Sequence, residues 1–213
     1  MNNKEEIIDY DYNLYNFKKL IKKNFKDNIN VYFRNFNRKK IINKIKSIQK
    51  SKSFHILYKR FIKNEIANFF PYKIAYQKFP NIRVLIQDDL DSIVPFHCDK
   101  WYNHSSDEIN FWIPLHDVEG SESLQFVELK ESKKIEKKIL EKKLSYVSIN
   151  NIISKYSKPV KCKYGQMLKF SPLNLHGNIL NKTKLPRISI DFRIKKLNSK
   201  FHNKLLGGYF EIL

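Results

Sequence analysis

The stretch of sequence that decides the fold is "RISIDFRI", residues 187–194. Apolar and polar side chains alternate along it without interruption. Because successive side chains of a β-strand point to opposite faces, the pattern predicts a strand. The polar side chains that share one face are Arg187, Ser189, Asp191 and Arg193. This face looks either to solvent, as in most half-buried antiparallel strands, or to an anion bound inside the protein.

The same two-residue period runs through the chain from Pro71 onward. Five further segments read as strands: 82–87, 109–115, 123–128, 159–163 and 166–170. Before them, residues 13–26 and 39–69 repeat apolar side chains at helical spacing, with a break predicted at 51–53. We expect these helices to cover a sheet rather than a membrane surface, because a helix with one apolar stripe is ordinary in globular proteins.

This order of elements predicts a mainly β protein with N-terminal helices, built as a jelly-roll or cupin-like barrel. We expect residues 1–70 to form a helical region that packs on the barrel, and residues 71–213 to form the barrel core. Within the core, residues 131–158 form a charged insertion. Its first part, 131–145, has one apolar stripe and is predicted to be helical.

The 213-residue chain carries 41 Lys and Arg against 21 Asp and Glu, a formal net charge of +20. Such a charge invites a nucleic-acid interpretation. The lysines, however, are spread along the whole chain and accompany many Asn and Ile residues, which is typical of an AT-rich genome rather than of a binding patch. We therefore expect no nucleic-acid partner and predict a small-molecule substrate, anionic or carrier-linked.

Three features bear on location. No run of 18 apolar residues is present, and the N-terminal segment lacks the apolar core of a signal peptide. Two cysteines, Cys98 and Cys162, do not make a disulfide framework. We expect a cytoplasmic protein without a transmembrane segment.

A metal site is predicted from His97 and Asp99, which share one side of an extended segment because they lie two residues apart. His176 is the candidate third ligand. Two histidines and one carboxylate suit non-haem Fe(II) and leave coordination positions open. His-x-Asp alone is a weak motif. The position of these residues is stronger evidence for a metal site than the motif, since the pair follows the predicted strand at 82–87 and His176 follows the one at 166–170.

An anion site is predicted beside it. Arg187 and Ser189 share the polar face of their strand, and a guanidinium with a neighbouring hydroxyl can hold a carboxylate. The strand at 109–115 divides in the same way, with Asn110 and Trp112 on one face. A dicarboxylate could chelate the metal at one end and reach Arg187 at the other. The alternative is an ordinary sheet with its polar face in solvent.

These segments resemble the Fe(II)/2-oxoglutarate-dependent oxygenases, in the phytanoyl-CoA dioxygenase-like branch that includes the streptomycin-biosynthesis type proteins. The motifs that carry the resemblance are "QKFPNIRVLIQ" (77–87), "VPFHCDKWYNH" (94–104), "NFWIPLHDVEGSESLQFV" (110–127), "LHGNILNKT" (175–183) and "RISIDFRI". It spans about Tyr76 to Ile194. The fold it implies is a double-stranded β-helix, and the cofactors it implies are Fe(II), the co-substrate 2-oxoglutarate and molecular oxygen.

The resemblance also implies roles for individual residues. The implied iron ligands are His97, Asp99 and His176. The implied contacts of 2-oxoglutarate are Arg187 and Ser189 at its distal carboxylate, with Asn110 and Trp112 along the pocket. Related halogenases lack the carboxylate ligand, so an aspartate at 99 implies hydroxylation, or a desaturation or epimerisation, rather than halogenation.

Substrate contacts are expected near the mouth of the site, at Gln87, Tyr102, His104 and Arg193. Arg193 is also the alternative carboxylate anchor if Arg187 points outward. Residues 1–70 and 131–158 lie outside the recognised motifs, and we expect them to set substrate identity.

Two other classes of protein stay open at this stage. A non-oxidative metal cupin, an isomerase or lyase, would use the same ligands without an anchor at Arg187 and Ser189. A basic nucleic-acid-binding module would need neither the metal site nor the anchor, and its binding would depend steeply on salt.

Overall fold

The computed structural model describes residues 5–25, 38–142, 144–201 and 203–213. The elements before Pro71 are one strand and three helices: β1 (Glu6–Asp9), α1 (Phe17–Asn24), α2 (Arg38–Gln49) and α3 (Lys52–Phe61). The break predicted at 51–53 lies between α2 and α3. There the Ser51 side chain accepts a hydrogen bond from the Phe54 amide and so caps the start of α3. A π-helical turn (Ile62–Ile66) and a 3₁₀ turn (Ala67–Phe69) extend α3.

Strands dominate the rest of the chain. They are β2 (Ile74–Gln77), β3 (Asn81–Leu85), β4 (Ile109–Pro114), β5 (Gln125–Phe126), β6 (Lys158–Pro159), β7 (Gln166–Phe170), β8 (His176–Gly177), β9 (Arg187–Lys196) and β10 (Phe210–Ile212). Two helices separate β5 from β6: α4 (Leu129–Lys142) and α5 (Tyr146–Tyr156). Short 3₁₀ turns lie at Leu90–Ser92 and Asp99–Tyr102. All six predicted strand segments therefore contain or overlap a strand, and the charged insertion is helical.

The strands form two antiparallel sheets. The larger has the order β1-β7-β4-β9-β2-β10, with β3 paired to β9 beside this path, and the smaller has the order β6-β5-β8. Strand β9 is the centre of the larger sheet, because it pairs with β2, β3 and β4. Its register places Arg193 opposite Asn110, and Ser189 opposite Arg83. Side chains directly opposite each other lie on the same face of a sheet.

Neither face of β9 looks to solvent, since every residue from Arg187 to Lys195 is buried. The apolar face packs against the N-terminal helices. Phe192 stacks on Phe111 with 5.2 Å between ring centroids, and it meets Tyr58 and Phe61 edge-on at 5.5 and 6.1 Å. The helices therefore cover the apolar face of β9.

The polar face of β9 looks into the space between the two sheets. An apolar cluster joins the sheets there, with Trp112 and Phe170 from the larger sheet and Phe126 from the smaller one. The rings of Phe126 and Phe170 meet edge-on at 5.4 Å. The expectation of a mainly antiparallel β protein with several helices is confirmed, and the polar side chains of its central strand are enclosed.

Strand β1 belongs to the larger sheet although it lies before the helices. It pairs with β7, with Glu6 opposite Lys169 and Asp9 opposite Gln166. The sequence does not predict a strand at Glu6–Asp9, because four residues without alternation give no periodic signal. None of the helices within the described ranges has the length and hydropathy that crossing a membrane requires.

Candidate functional site

Three potential metal ligands meet between the sheets. The ligand atoms of His97, Asp99 and His176 all lie within 4.8 Å of one another. The Nε2 atoms of His97 and His176 are 3.4 and 3.8 Å from Oδ1 of Asp99. All three side chains are buried. Two imidazoles and one carboxylate that converge in this way can hold a divalent metal ion on one side and leave its other side open.

Backbone hydrogen bonds bring the two histidines together. The amide of His97 donates to the carbonyl of His176 at 2.9 Å, and the reverse bond is 2.8 Å. Gly177 follows at a point of close approach, since a Cβ on it would lie 2.8 Å from the Cα of Phe96. Sequence order alone does not reveal this pairing of residues 79 positions apart.

Each imidazole also has a fixed orientation. Nδ1 of His97 lies 2.8 Å from the carbonyl oxygen of Pro95, and Nδ1 of His176 lies 2.9 Å from that of Asn174. Carbonyls only accept, so each Nδ1 carries the proton and each Nε2 presents a lone pair. Burial, with the neighbouring His97, lowers the pKa of His176 to about 4, so this ring is neutral at physiological pH.

Asp99 offers one oxygen to the site and keeps the other for the protein. Its Oδ2 accepts hydrogen bonds from Nδ2 of Asn110 at 2.8 Å and from Nε and Nη2 of Arg193 at 3.0 and 2.7 Å. Burial alone would raise the pKa of Asp99, but Arg193 and the two histidines hold it well below its usual range. The carboxylate is therefore charged, and Oδ1 is the oxygen that faces the histidines.

Arg193 is bound on all sides by protein groups. Besides Asp99, its Nη1 donates to Asp191 at 2.8 Å and to Gln77 at 3.3 Å. Asp191 in turn accepts from Arg83 at 2.6 Å and from Asn81 at 2.7 Å. Its charge is thus shared between the two arginines, and Arg193 orients Asp99.

Arg187, unlike Arg193, has few hydrogen-bond partners among the described residues. Only 1% of its surface is exposed, and its Nη2 lies 3.4 Å from Oδ1 of Asn178. The guanidinium carbon sits 5.6 Å from the centre of the Trp112 ring. Within the described ranges, its Nε and Nη1 have no hydrogen-bond partner, and no carboxylate forms an ion pair with it. Burial, with the nearby Arg83, lowers the pKa of Arg187 to about 9, although Asp191 and Glu122 act in the opposite direction.

Other donors around Arg187 also lack partners. Among the residues that the structure describes, the buried donor atoms without a partner near it are Nε1 of Trp112, Oγ of Ser189 and Nδ2 of Asn178. Leaving a buried donor unpaired costs about 1–3 kcal/mol. So many in one place indicate a binding site for an anion with several oxygen atoms.

One cavity connects the anion site to the metal ligands. Its walls include His97 and His176 as well as Trp112, Asn178 and Arg187. Arg187 points into the protein, so the condition under which Arg193 would be the anchor is not met. The arrangement can hold a molecule that touches a metal ion with one end and a guanidinium with the other.

The residues predicted near the mouth lie in different places. Tyr102 is 56% exposed, and its ring meets that of His97 edge-on at 5.1 Å, beside the ligand cluster. Gln87 is exposed and does not line the cavity; it follows the end of β3 at Leu85 and forms a parallel β-bridge with Asn181. His104 is buried, and its Nδ1 is 2.7 Å from Oε2 of Glu108.

Two residues of the site went unnoticed in the sequence. Arg83 lines the cavity and binds Asp191. Buried Glu122 acts electrostatically on Arg187, and its Oε2 has no partner in the described part of the chain. Alternation in 82–87 does put Arg83 on the face away from Ile82 and Val84. Its place opposite β9, however, depends on a register that the sequence does not contain.

Solved structures with a similar fold include two non-haem enzymes. The non-heme alpha ketoglutarate dependent carbocyclase SnoK, from nogalamycin biosynthesis, aligns with a TM-score of 0.53 and 13% identity over 74% of this chain and 70% of its own. The non-heme monooxygenase ThoJ, solved as a nickel complex, aligns with a TM-score of 0.54 and 9% identity over 91% of this chain and 75% of its own. At these identities the likeness concerns the fold.

A curated relative is the streptomycin biosynthesis protein StrG of Streptomyces griseus, 26% identical over 121 residues, which are 56% of this chain. The match covers 46% of StrG, so the chain spans about half the length of that relative. No family model matches the sequence. The resemblance predicted from the motifs is confirmed in sequence, by the match to a streptomycin biosynthesis protein, and in fold, by the likeness to non-haem enzymes.

Proposed function

We propose that the protein is a non-haem Fe(II)/2-oxoglutarate-dependent dioxygenase whose two sheets form a double-stranded β-helix. The observation that carries this proposal is the cavity that joins the cluster of His97, Asp99 and His176 to the unpaired guanidinium of Arg187. A metal site by itself would fit many reactions. A metal site with a buried cation in the same cavity fits a dicarboxylate such as 2-oxoglutarate.

The donor set fits iron. The Nε2 atoms of the two histidines and the charged Oδ1 of Asp99 would hold Fe(II), and the second oxygen of Asp99 is already engaged by Asn110 and Arg193. The carboxylate would therefore bind through one oxygen. When bound, iron with 2-oxoglutarate and oxygen supplies the oxidising power to attack an unactivated C–H bond.

The chain's own residues would position the co-substrate. Arg187 and Ser189 would bind its distal carboxylate, and Trp112 and Asn178 would donate hydrogen bonds along the pocket. Enclosure between the two sheets keeps water away from this ion pair and strengthens it. The ring of Tyr102 beside His97 would be an exposed contact for the substrate.

The substrate we propose is a small molecule in a biosynthetic or sugar-modifying pathway, and the reaction we propose is hydroxylation. The names of StrG and SnoK, both from antibiotic biosynthesis, support the pathway class. The net charge of +20 favours a substrate that is anionic or linked to an acidic carrier. An aspartate at position 99 favours hydroxylation over halogenation, and we propose that residues 1–70 and 131–158 select the substrate.

The test is anaerobic addition of Fe(II) and then 2-oxoglutarate to the protein, with a search for the visible charge-transfer band of the chelated complex. We expect the band in the wild type, a weaker band in Arg187→Ala and Asp99→Ala, and an unchanged band in the surface control Arg60→Ala. Bound iron without a band would favour a non-oxidative metal cupin. Failure to bind iron would overturn the metal site and reopen the nucleic-acid interpretation.

A further inference from the structure

The insertion formed by α4 and α5 packs directly behind the candidate metal ligands. A separate apolar cluster holds it there, and the buried members of this cluster are Phe96, Cys98, Val127, Ile135, Ile139, Ile153 and Leu175. Ile135 and Ile139 come from α4 and Ile153 from α5. The other members belong to the β-core.

The core members of this cluster alternate with the ligands. Phe96 and Cys98 flank His97, and Leu175 precedes His176. In an extended chain neighbouring side chains point to opposite sides. The segments that present imidazoles to the cavity therefore present Phe96, Cys98 and Leu175 to the insertion.

Two hydrogen bonds attach the insertion to these same segments. Oδ1 of Asn150 in α5 accepts from the Phe96 amide at 2.9 Å. Oγ of Ser132 in α4, which is fully buried, accepts from the Leu175 amide at 2.9 Å and donates to the carbonyl of Val127 at 3.0 Å. The amide before each candidate histidine is thus satisfied by the insertion and not by a sheet.

A third contact reaches the turn that begins at Asp99. Oε1 of Glu136 in α4 accepts from Nε1 of Trp101 at 3.2 Å and lies 3.6 Å from Nζ of Lys100. All three candidate ligands therefore have a neighbouring residue that the insertion contacts.

We propose that the α4–α5 insertion sets the geometry of the metal site, with Ser132 and Asn150 as positioning residues. This inference rests on the proposed function, because it assumes that the triad binds metal. Loss of either side chain leaves the amide before a ligand without its partner and lets that segment shift. The mutual hydrogen bonds of His97 and His176 remain, so the fold persists while the ligand spacing relaxes.

The experiment is anaerobic titration with Co(II) against a competing chelator, read by affinity and by the visible ligand-field spectrum. Losses in groups that orient metal ligands typically cost about 10–100-fold in affinity. We expect Ser132→Ala and Asn150→Ala each to weaken Co(II) binding about 10-fold and to change the spectrum. The matched controls on the exposed faces of α5, Ser154→Ala and Asn151→Ala, should stay within about 2-fold of the wild type.

A rescue variant separates positioning from general damage. Asn150→Asp keeps an acceptor oxygen for the Phe96 amide, so we expect its Co(II) affinity and spectrum to return towards those of the wild type. Circular dichroism melting identifies any variant that is unfolded at the titration temperature. If Ser132→Ala fails to fold, the Asn150 pair of variants carries the test.

The outcomes are distinct. A wild type that binds Co(II), with Ser132→Ala and Asn150→Ala binding as tightly and with the same spectrum, overturns the inference and leaves the proposed function in place. A wild type that does not bind Co(II) overturns the proposed function itself. If both alanine variants bind Co(II) more weakly and Asn150→Asp restores binding, the insertion sets the geometry of the metal site.

Discussion

Two arginines lie six residues apart on one face of β9, and they have different surroundings because their hydrogen-bond partners differ. Arg193 is enclosed by Asp99, Asp191 and Gln77. Arg187 faces the cavity, and its Nε and Nη1 have no hydrogen-bond partner among the described residues. The sequence predicts that both share the polar face, and the motifs favour Arg187 as the anchor. It does not reveal that Arg193 orients Asp99, a candidate metal ligand, because that contact joins residues 94 positions apart.

This difference predicts separable defects in binding. Arg193→Lys loses the paired Nε and Nη2 contacts to Asp99, so we expect metal affinity to fall about 10-fold. Arg187→Lys loses the planar fork aimed at a carboxylate, so we expect 2-oxoglutarate binding to weaken at least about 10-fold with metal affinity unchanged. Anaerobic calorimetry with Mn(II) and then 2-oxoglutarate measures both. Identical effects of the two variants would contradict the separate roles.

Asp191 should contribute a pH-dependent part of the stability. Burial would raise its pKa, but Arg83 and Arg193 lower it to about 2. A carboxyl whose pKa is lower in the folded state stabilises the fold above its unfolded pKa and loses that contribution as the pH falls. The lost contribution is on the order of 2 kcal/mol between pH 4 and 2.

Urea unfolding at pH 7, 4, 3 and 2 tests this contribution. We expect Asp191→Asn to be less stable than the wild type at pH 7 and to lose less free energy of unfolding between pH 4 and 2. The control Asp88→Asn removes an exposed carboxylate whose pKa is lowered by Lys182, and because solvent screens this pair the slope should change much less than in Asp191→Asn. Parallel curves for the wild type and Asp191→Asn would rule out the low pKa.

At the scale of elements, the periodicity of apolar residues predicts helices and strands that lie in longer patterned segments, and it misses short strands outside such segments. The helices α1 to α4 and the strands β3 to β7 and β9 lie in or overlap segments that local patterns of apolar residues predict. Strands β1, β2, β8 and β10 have two to four residues each and were not predicted, because their extended structure depends on partners distant in sequence.

The helical layer depends on one aromatic side chain at the end of α3. Phe61 is fully buried and meets Tyr10, Tyr15, Phe17 and Phe192 edge-on. We expect Phe61→Ala to lower the free energy of unfolding by about 3–5 kcal/mol, because the void left by the missing ring would lie between the helices and the sheet. Phe69→Ala, at a 39% exposed position, should cost less than about 1 kcal/mol. Equal losses in urea unfolding would mean that the helices do not depend on this contact.

For the whole molecule, the net charge and the charged side chains that line the cavity have different origins. The net charge of +20 is a property of the composition, whereas the cavity collects a few charged side chains in a specific arrangement. The sequence predicts the candidate metal ligands and the candidate anchor because the ordered motifs that carry the family resemblance contain them. It does not predict the order of strands in the sheet or the register, which come from pairings between distant segments.

If the site binds as proposed, its ligands should stabilise the whole fold by linkage. At 100 times its dissociation constant, a ligand adds about 2.7 kcal/mol, or roughly 5–10 °C in Tm for a chain of this size. We expect Mn(II) to raise Tm, and 2-oxoglutarate to raise it further only when the metal is present. Arg187→Ala should keep the first increase and lose the second. A second increase that survives in this variant would place the co-substrate elsewhere.

The central position of β9 has a consequence for how the protein is made. Strands β2, β3 and β4 all pair with a strand that leaves the ribosome long after them, and β1 waits for β7, about 160 residues later. Until residue 196 emerges, the aromatic faces of the N-terminal helices have no sheet to cover. The central sheet therefore cannot be completed before β9 has left the ribosome, and until then the nascent chain is a natural client for chaperones that bind exposed aromatic segments.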